Sequence, residues 1–307
     1  KFLGIIIFSL LLSTQVFADK RIDKRFEKDL KKVSKDNGFI NNTGKIYPID
    51  NIYDKKSTIL IVYTHGSLGD QTLDKCKKKW NQVPPIILNL HDKKIKDFKV
   101  KIYHLCSGVR GWTENHWRKM DDIYKNVKKN NFSKIIKDDF DRIKFDIAKQ
   151  SLKQKVIIDK VDELVNLSFE NIILAGHSAG GWASITLKSK YPNKISGAIA
   201  INPAFAGKIN NRREWKFWEL HRAYEINRID LKNVNNTMMY VHDKDGYETS
   251  ETLSFLNLDT VEYKDISKSN CKAKLIFGKH HGIPLTKCFA ESDINQKEMI
   301  KFLEGIF

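Results

Sequence analysis

The stretch from Asn171 to Trp182, N-I-I-L-A-G-H-S-A-G-G-W, constrains the fold more than any other part of the chain. Ile172, Ile173, Leu174 and Ala175 make a short apolar run suited to a buried strand. Gly176-His177-Ser178-Ala179-Gly180 follows, matching G-x-S-x-G, and Trp182, Ala183, Ile185 and Leu187 then carry the spacing of a helix with one face packed inward. Strand, turn and helix in that order put Ser178 on a sharp bend, with its Oγ held above the sheet. Glycine is expected at 176 and 180, since a Cβ at either would collide with the neighbouring strand and helix. The helix N-terminus adds a positive end and free N–H groups beside that serine, where an oxyanion would be stabilised.

Further strands extend this unit on both sides. Thr58 to Thr64 is a run of β-branched and apolar residues that reads as a buried strand, and it ends in His65-Gly66-Ser67-Leu68-Gly69. Phe98 to Leu105 is a second, running into Cys106-Ser107-Gly108. Between them Pro84-Pro85 excludes a continuous helix over Trp80–Leu90. Residues 112–150 hold Trp112, His116, Trp117 and Tyr124 before a charged helical stretch, and a helix is expected over Lys153–Leu167. After Ser178 come strands at Ile195–Ile201, Thr237–Val241 and Lys274–Phe277, closing respectively in Asn202-Pro203, His242-Asp243-Lys244-Asp245-Gly246 and Lys279-His280-His281-Gly282. Ile294–Phe307 ends the chain as an amphipathic helix. This alternation predicts an α/β class: a mainly parallel, doubly wound sheet with helices on both faces.

Residues 1–18 begin with a lysine, continue as an apolar run and end Val16-Phe17-Ala18, the pattern of a secretory signal peptide. The run is short for a bilayer span of about 20 residues, so cleavage without stable membrane insertion is expected. Residues 19–57 read as an arm: Ile22, Phe26, Leu30 and Val33 at helical spacing, then a turn-rich stretch around an edge strand near Lys45–Pro48. Four cysteines (Cys76, Cys106, Cys271 and Cys288) in an exported chain point to disulfides. Of three possible pairings, sequence order favours Cys76–Cys106 and Cys271–Cys288, the latter closing a loop of roughly 17 residues worth about 3 kcal/mol. The cysteines lack the C-x-x-C spacing of zinc sites. The net charge of +17 is spread along the chain and mixed with aspartates, so it reads as a solvated basic surface, not a nucleic-acid footprint. Attraction to anionic envelope components or acidic substrates stays open.

With these residues placed, the chain from Thr58 to Phe307 resembles the α/β-hydrolase family, with 204–236 as a lid or pocket-wall insert. The resemblance rests on four motifs in order: His65-Gly66 after an early strand, the elbow at Ser178, Asp245 after a late strand, and His281 near the end. It implies Ser178 as nucleophile, His281 as general base and then acid, and Asp245 as the carboxylate that orients the imidazole. Asp243 and His280 compete for the last two roles, because loop register is loosely set by sequence. The oxyanion hole would combine the N–H of Ala179 with that of Ser67, or alternatively Leu68. Trp112, Trp117, Trp215 and Trp218 would line the pocket, and Arg212, Arg213 and Arg222 would favour an anionic substrate group if turned toward it. His65 and His177 are read as structural or oxyanion-shell residues.

The implied activity is that of a secreted or periplasmic serine hydrolase, cleaving a small or envelope-derived carboxylic ester through an acyl-enzyme. An amide or peptide hydrolase with the same triad is the alternative, since the fold hosts both; a non-catalytic binding protein of the same fold is the other. No metal, nucleotide or flavin motif is present, so no cofactor is expected.

Overall fold

Strands form where the chain is apolar on both faces or on alternate residues. In the computed structural model the described residues are 37–41, 43–47, 54–66, 82–107, 150, 153–205, 207–210, 222–223, 225–273 and 280–307. Their strands are β1 (Gly38–Ile40), β2 (Ile46–Tyr47), β3 (Thr58–Thr64), β4 (Lys94–Ile95), β5 (Phe98–Leu105), β6 (Asn171–His177), β7 (Gly197–Ile201), β8 (Thr237–Val241) and β9 (Val261–Asp265). They make one sheet in the order β2-β1-β5-β3-β6-β7-β8-β9, with β4 paired to β5 off that path. From β5 to β9 every neighbouring pair in this order is parallel, while β1, β2 and β4 are antiparallel additions at one side.

Among the described residues the sheet is flanked by α1 (Pro85–Leu88), α2 (153–166), α3 (Ala179–Lys190), α4 (Lys287–Ala290) and α5 (Asp293–Ile306). The two-residue period of a strand divides their packing. Ile59, Ile61 and Tyr63 of β3 point with Ile173 and Ala175 of β6 toward Ile86, Ile87, Phe289, Met299, Phe302 and Leu303. Leu60, Val62, Ile172 and Leu174 point the other way, toward Val156, Ile157, Val161 and Leu164 of α2 and Ala183 and Leu187 of α3. Both faces are therefore covered, which is why the central strands read as continuous apolar runs.

Several details differ from the sequence reading. The sheet starts at Gly38, within the stretch read as turn-rich; Phe39 is fully buried and meets Tyr103 edge-on at 5.2 Å. A three-residue strand carries no period to read. The strand at 261–265 was missed because it is short and mostly charged: Glu262, Lys264 and Asp265 leave only Val261 and Tyr263 to mark the alternation. The strand expected at 274–277 lies outside the described residues. Helix α3 is not packed on one face only: eleven of its twelve residues are buried. Phe205, Ile229, Val234, Leu253 and Leu256 pack in one cluster with its Trp182 and Ile185. Its buried hydroxyls are satisfied locally, Ser184 and Thr186 donating to the carbonyls of Gly180 and Trp182, each at 2.9 Å. The stretches read as a signal peptide and as the helical part of the arm, within 1–36, lie outside the described residues. Among the described residues no helix is long and apolar enough to cross a membrane.

Candidate active site

The C-terminal ends of β3, β6, β7 and β8 place His65-Gly66, Ser178, Asn202 and His242–Asp245 at one edge of the sheet, where open α/β sheets bind ligands. Ser178 sits between β6 and α3 at φ 54°, ψ −122°. A non-glycine residue in such a region costs on the order of 1–3 kcal/mol and persists only when its surroundings hold it. They do: its N–H donates to the Ile201 carbonyl at 2.9 Å, and its own carbonyl accepts from Trp182 at 2.9 Å and Ala204 at 3.2 Å. The flanking glycines are a matter of space. A Cβ on Gly176 would lie 2.4 Å from the Gly180 carbonyl carbon, and one on Gly180 would lie 2.3 Å from the Thr64 oxygen. The same closeness brings the first loop to the serine, since a Cβ on Gly66 would sit 3.2 Å from that of Ser178. Ala179 heads α3, whose first N–H groups have no partner within the helix.

Asp245 and His281 meet at 2.6 Å, Oδ2 to Nδ1, with their side chains only 1% and 2% exposed. The other Asp245 oxygen accepts from the Tyr247 N–H at 2.8 Å, so both carboxylate oxygens are engaged. Nδ1–H given to the carboxylate leaves Nε2 as the free lone pair of a neutral His281 ring. That ring lies 4.6 Å from the rings of both His177 and Tyr247. Ser178 and His281 are not hydrogen-bonded to each other in this structure. Nucleophile–base bonds are commonly long before substrate arrives.

The competing residues are placed elsewhere. The half-exposed Asp243 lies 2.9 Å from His242 Nδ1, and His242 Nε2 faces His280 Nδ1 at 3.1 Å. Acid and imidazole thus form two rows one or two residues apart: Asp245–His281, buried, and Asp243–His242–His280, reaching solvent. Burial, and to a lesser degree the neighbouring His280, pushes the His242 imidazole below its usual range against the pull of Asp243, Asp245 and Asp265. Burial, then the nearby His281, pushes His177 down to about 3.

Three hydrogen bonds at the site were not anticipated. His177 Nε2 donates to the His281 carbonyl at 3.0 Å, and Asn202 Nδ2 donates to the same carbonyl at 2.9 Å and to that of His280 at 3.2 Å. The only sequence signal was the position of Asn202 just past a strand end; its φ of 40° is a structural fact.

Ser67, Leu68, Trp112, Trp117, Trp215, Trp218, Arg212 and Arg213 lie outside the described residues. Arg222 is described, and it is not free for a substrate anion: its guanidinium contacts the buried Glu248 at 3.3 Å and donates to the Thr252 carbonyl. The described flank of the 204–236 insert is built into the core. Glu225, fully buried, accepts from Trp182 Nε1 at 2.9 Å and pairs with Arg228 at 3.2 Å, while Phe205 stacks on Trp182 at 3.7 Å. Burial raises the Glu225 carboxyl pKa, opposed chiefly by Arg228. Cys271 and Cys288 form a disulfide. Cys106 is disulfide-bonded as well, and Cys76 lies outside the described residues. Among the described residues no group of three or more His, Cys, Asp or Glu is placed to hold a metal ion.

A mostly parallel sheet covered by helices on both faces, a G-x-S-x-G turn from strand to helix, and an acid and a histidine on later loops make an α/β-hydrolase fold. No family model and no curated protein matches the sequence. Similar solved structures include Est1E from Butyrivibrio proteoclasticus, 11% identical at a TM-score of 0.47 over 87% of this chain and 93% of that one. The Pyrococcus furiosus esterase Pf2001 is 11% identical, with a TM-score of 0.45 over 88% and 86%. The Bacillus cereus carboxylesterase is 12% identical, with a TM-score of 0.40 over 83% and 91%. At such identities and scores the fold assignment rests on the strand order and the turn at Ser178 themselves.

Proposed function

We propose that this chain is an exported serine hydrolase that cleaves a carboxylic ester through an acyl-enzyme. The observation carrying this reading is the buried 2.6 Å bond between Asp245 and His281, on a ring packed against the residue that precedes Ser178. His281 Nε2 takes the Ser178 hydroxyl proton while Oγ attacks the ester carbonyl carbon. The oxyanion of the tetrahedral intermediate is met by the Ala179 N–H and by a second N–H from the loop after Gly66, assigned to Ser67. As the intermediate collapses, the ester C–O bond breaks and His281 returns the proton to the leaving alcohol. Water, deprotonated by the same imidazole, then attacks the acyl carbon; the bond from that carbon to Oγ breaks, His281 returns the proton to Oγ, and the carboxylic acid leaves. Asp245 stays ionised throughout, holding the tautomer and offsetting the imidazolium charge.

Residues 1–18 are assigned as the signal peptide, 19–57 as the arm and 58–307 as the catalytic domain, with Trp112, Trp117, Trp215 and Trp218 as pocket walls. Export to a secreted or periplasmic location suits the disulfides, which persist in oxidising compartments. The test is hydrolysis of p-nitrophenyl esters of graded acyl length, with matched anilides, by the mature protein and by Ser178→Ala. Ester turnover that disappears in the variant supports the reading. Turnover of anilides in preference to esters replaces the substrate class, and turnover kept by Ser178→Ala removes the mechanism.

A further inference from the structure

We infer that His177 and Asn202 are positioning residues that set the place of the general base by holding its main-chain carbonyl. The inference rests on the catalytic reading above and adds what keeps His281 in register with Ser178. A base that first takes and then returns a proton needs its ring held in one place, and the Asp245 bond fixes only one edge of that ring. The other determinant is the backbone at 281, which lies on a loop.

That backbone is tied to two strands at once. His177 donates from the end of β6 and Asn202 from the end of β7, and both bonds end on the His281 oxygen. A carbonyl oxygen has two lone pairs, so its capacity is filled. His177 also immediately precedes the nucleophile, so one residue links the serine turn to the loop of the base. Donation from Nε2 leaves Nδ1 of the neutral ring unprotonated, on the side where a Cβ on Gly66 would lie 3.3 Å away. Complete burial keeps the ring neutral, as it must be to remain 4.6 Å from an imidazole that becomes charged during turnover.

Asn202 bears two costs that a packing residue does not. Its φ is 40°, a region asparagine tolerates better than most residues. Its buried Oδ1 has no hydrogen-bond partner among the described residues, while both amide bonds go to the carbonyls of 280 and 281. The amide is oriented for its donors.

The experiment measures kcat and KM for a p-nitrophenyl ester with His177→Phe, His177→Gln, Asn202→Gly and Ser178→Ala, below each melting temperature. Phenylalanine keeps a ring without the donor, glutamine returns an N–H near the position of Nε2, and glycine keeps the positive φ without the amide. A displacement of about 1 Å can cost on the order of 100-fold in rate. His177→Phe and Asn202→Gly should therefore lose roughly 10- to 100-fold in kcat with little change in KM, and His177→Gln should recover most of it. Wild-type kcat in His177→Phe, or glutamine as impaired as phenylalanine, overturns the inference. If His177→Phe does not fold, Asn202→Gly decides: an unchanged kcat there overturns it equally. Ser178→Ala separates the two levels. Activity retained in that variant defeats the catalytic reading, whereas an inactive Ser178→Ala beside unimpaired His177 and Asn202 variants defeats only the positioning claim.

Discussion

Asp243 and Asp245 are two residues apart, and the difference between them is environment. Asp245 is buried with both oxygens bonded and faces an equally buried imidazole; Asp243 is 47% exposed and faces His242. Asp245→Asn keeps the shape but presents an amide to Nδ1 and favours the wrong tautomer. Its kcat should fall by on the order of 10⁴-fold, as for the equivalent change in other serine triads. Asp243→Asn should leave kcat nearly unchanged, and steady-state kinetics on the pair decides whether the buried row is the working one. His177 supplies a prediction on stability. A free histidine titrates near about 6.5, whereas burial holds His177 at about 3. Between those values the unfolded chain binds a proton that the folded one refuses. The His177 contribution is therefore complete above pH 6.5 and is lost progressively as pH falls toward 3. Urea titrations at pH 7, 5 and 4 should show wild type losing stability more steeply than His177→Phe; equal slopes would mean that His177 is not held neutral.

At the scale of elements, the apolar strands were legible, though the one read as Ile195–Ile201 begins at Gly197. Thr58–Thr64, Phe98–Leu105 and Thr237–Val241 form as read: the first and last are buried throughout, while the second begins with Lys99 exposed and Lys101 half-buried before the buried run Ile102–Leu105. β1 is too short to show a period, and β9 has only two apolar residues among five, so neither announced itself. The site divides in the same way. Ser178, Asp245 and His281 stand out in the sequence because each comes just after a stretch read as a strand, although the stretch before His281 lies outside the described residues. The roles suggested for His177 and Asn202 were not readable, since each contact runs from a side chain to a backbone carbonyl 104 and 79 residues away. The turn itself offers a paired test. Gly180→Ala drives a methyl to 2.3 Å from the β3 backbone, which no rotamer change relieves, whereas Gly305 near the end of α5 has nothing within 4 Å of its would-be Cβ. Thermal melts should show Gly180→Ala strongly destabilised or insoluble. Gly305→Ala should be neutral or stabilised by up to about 1 kcal/mol through helix propensity. Equal tolerance at both glycines would contradict the close packing of turn on strand.

Over the whole molecule, the Cys271–Cys288 bridge spans a 17-residue separation that includes His281. The chain-entropy model gives about 3 kcal/mol for a loop of this length. The Cys271→Ser/Cys288→Ser double variant should lose stability of that order in urea. Below its melting temperature it should keep its kcat, because the base is still held by Asp245 and by the carbonyl bonds from β6 and β7. A loss of kcat in the folded variant would make the bridge a part of the positioning apparatus. The tryptophans read as pocket walls, Trp112, Trp117, Trp215 and Trp218, lie outside the described residues.

The central claim is that Ser178 is an activated nucleophile. Incubating the mature protein with a fluorophosphonate probe and locating the adduct by mass spectrometry tests it most directly. One adduct is expected, on Ser178, formed far more slowly in Asp245→Asn and His281→Ala and absent in Ser178→Ala. Labelling on another serine, or none in a folded protein that hydrolyses esters, would contradict it.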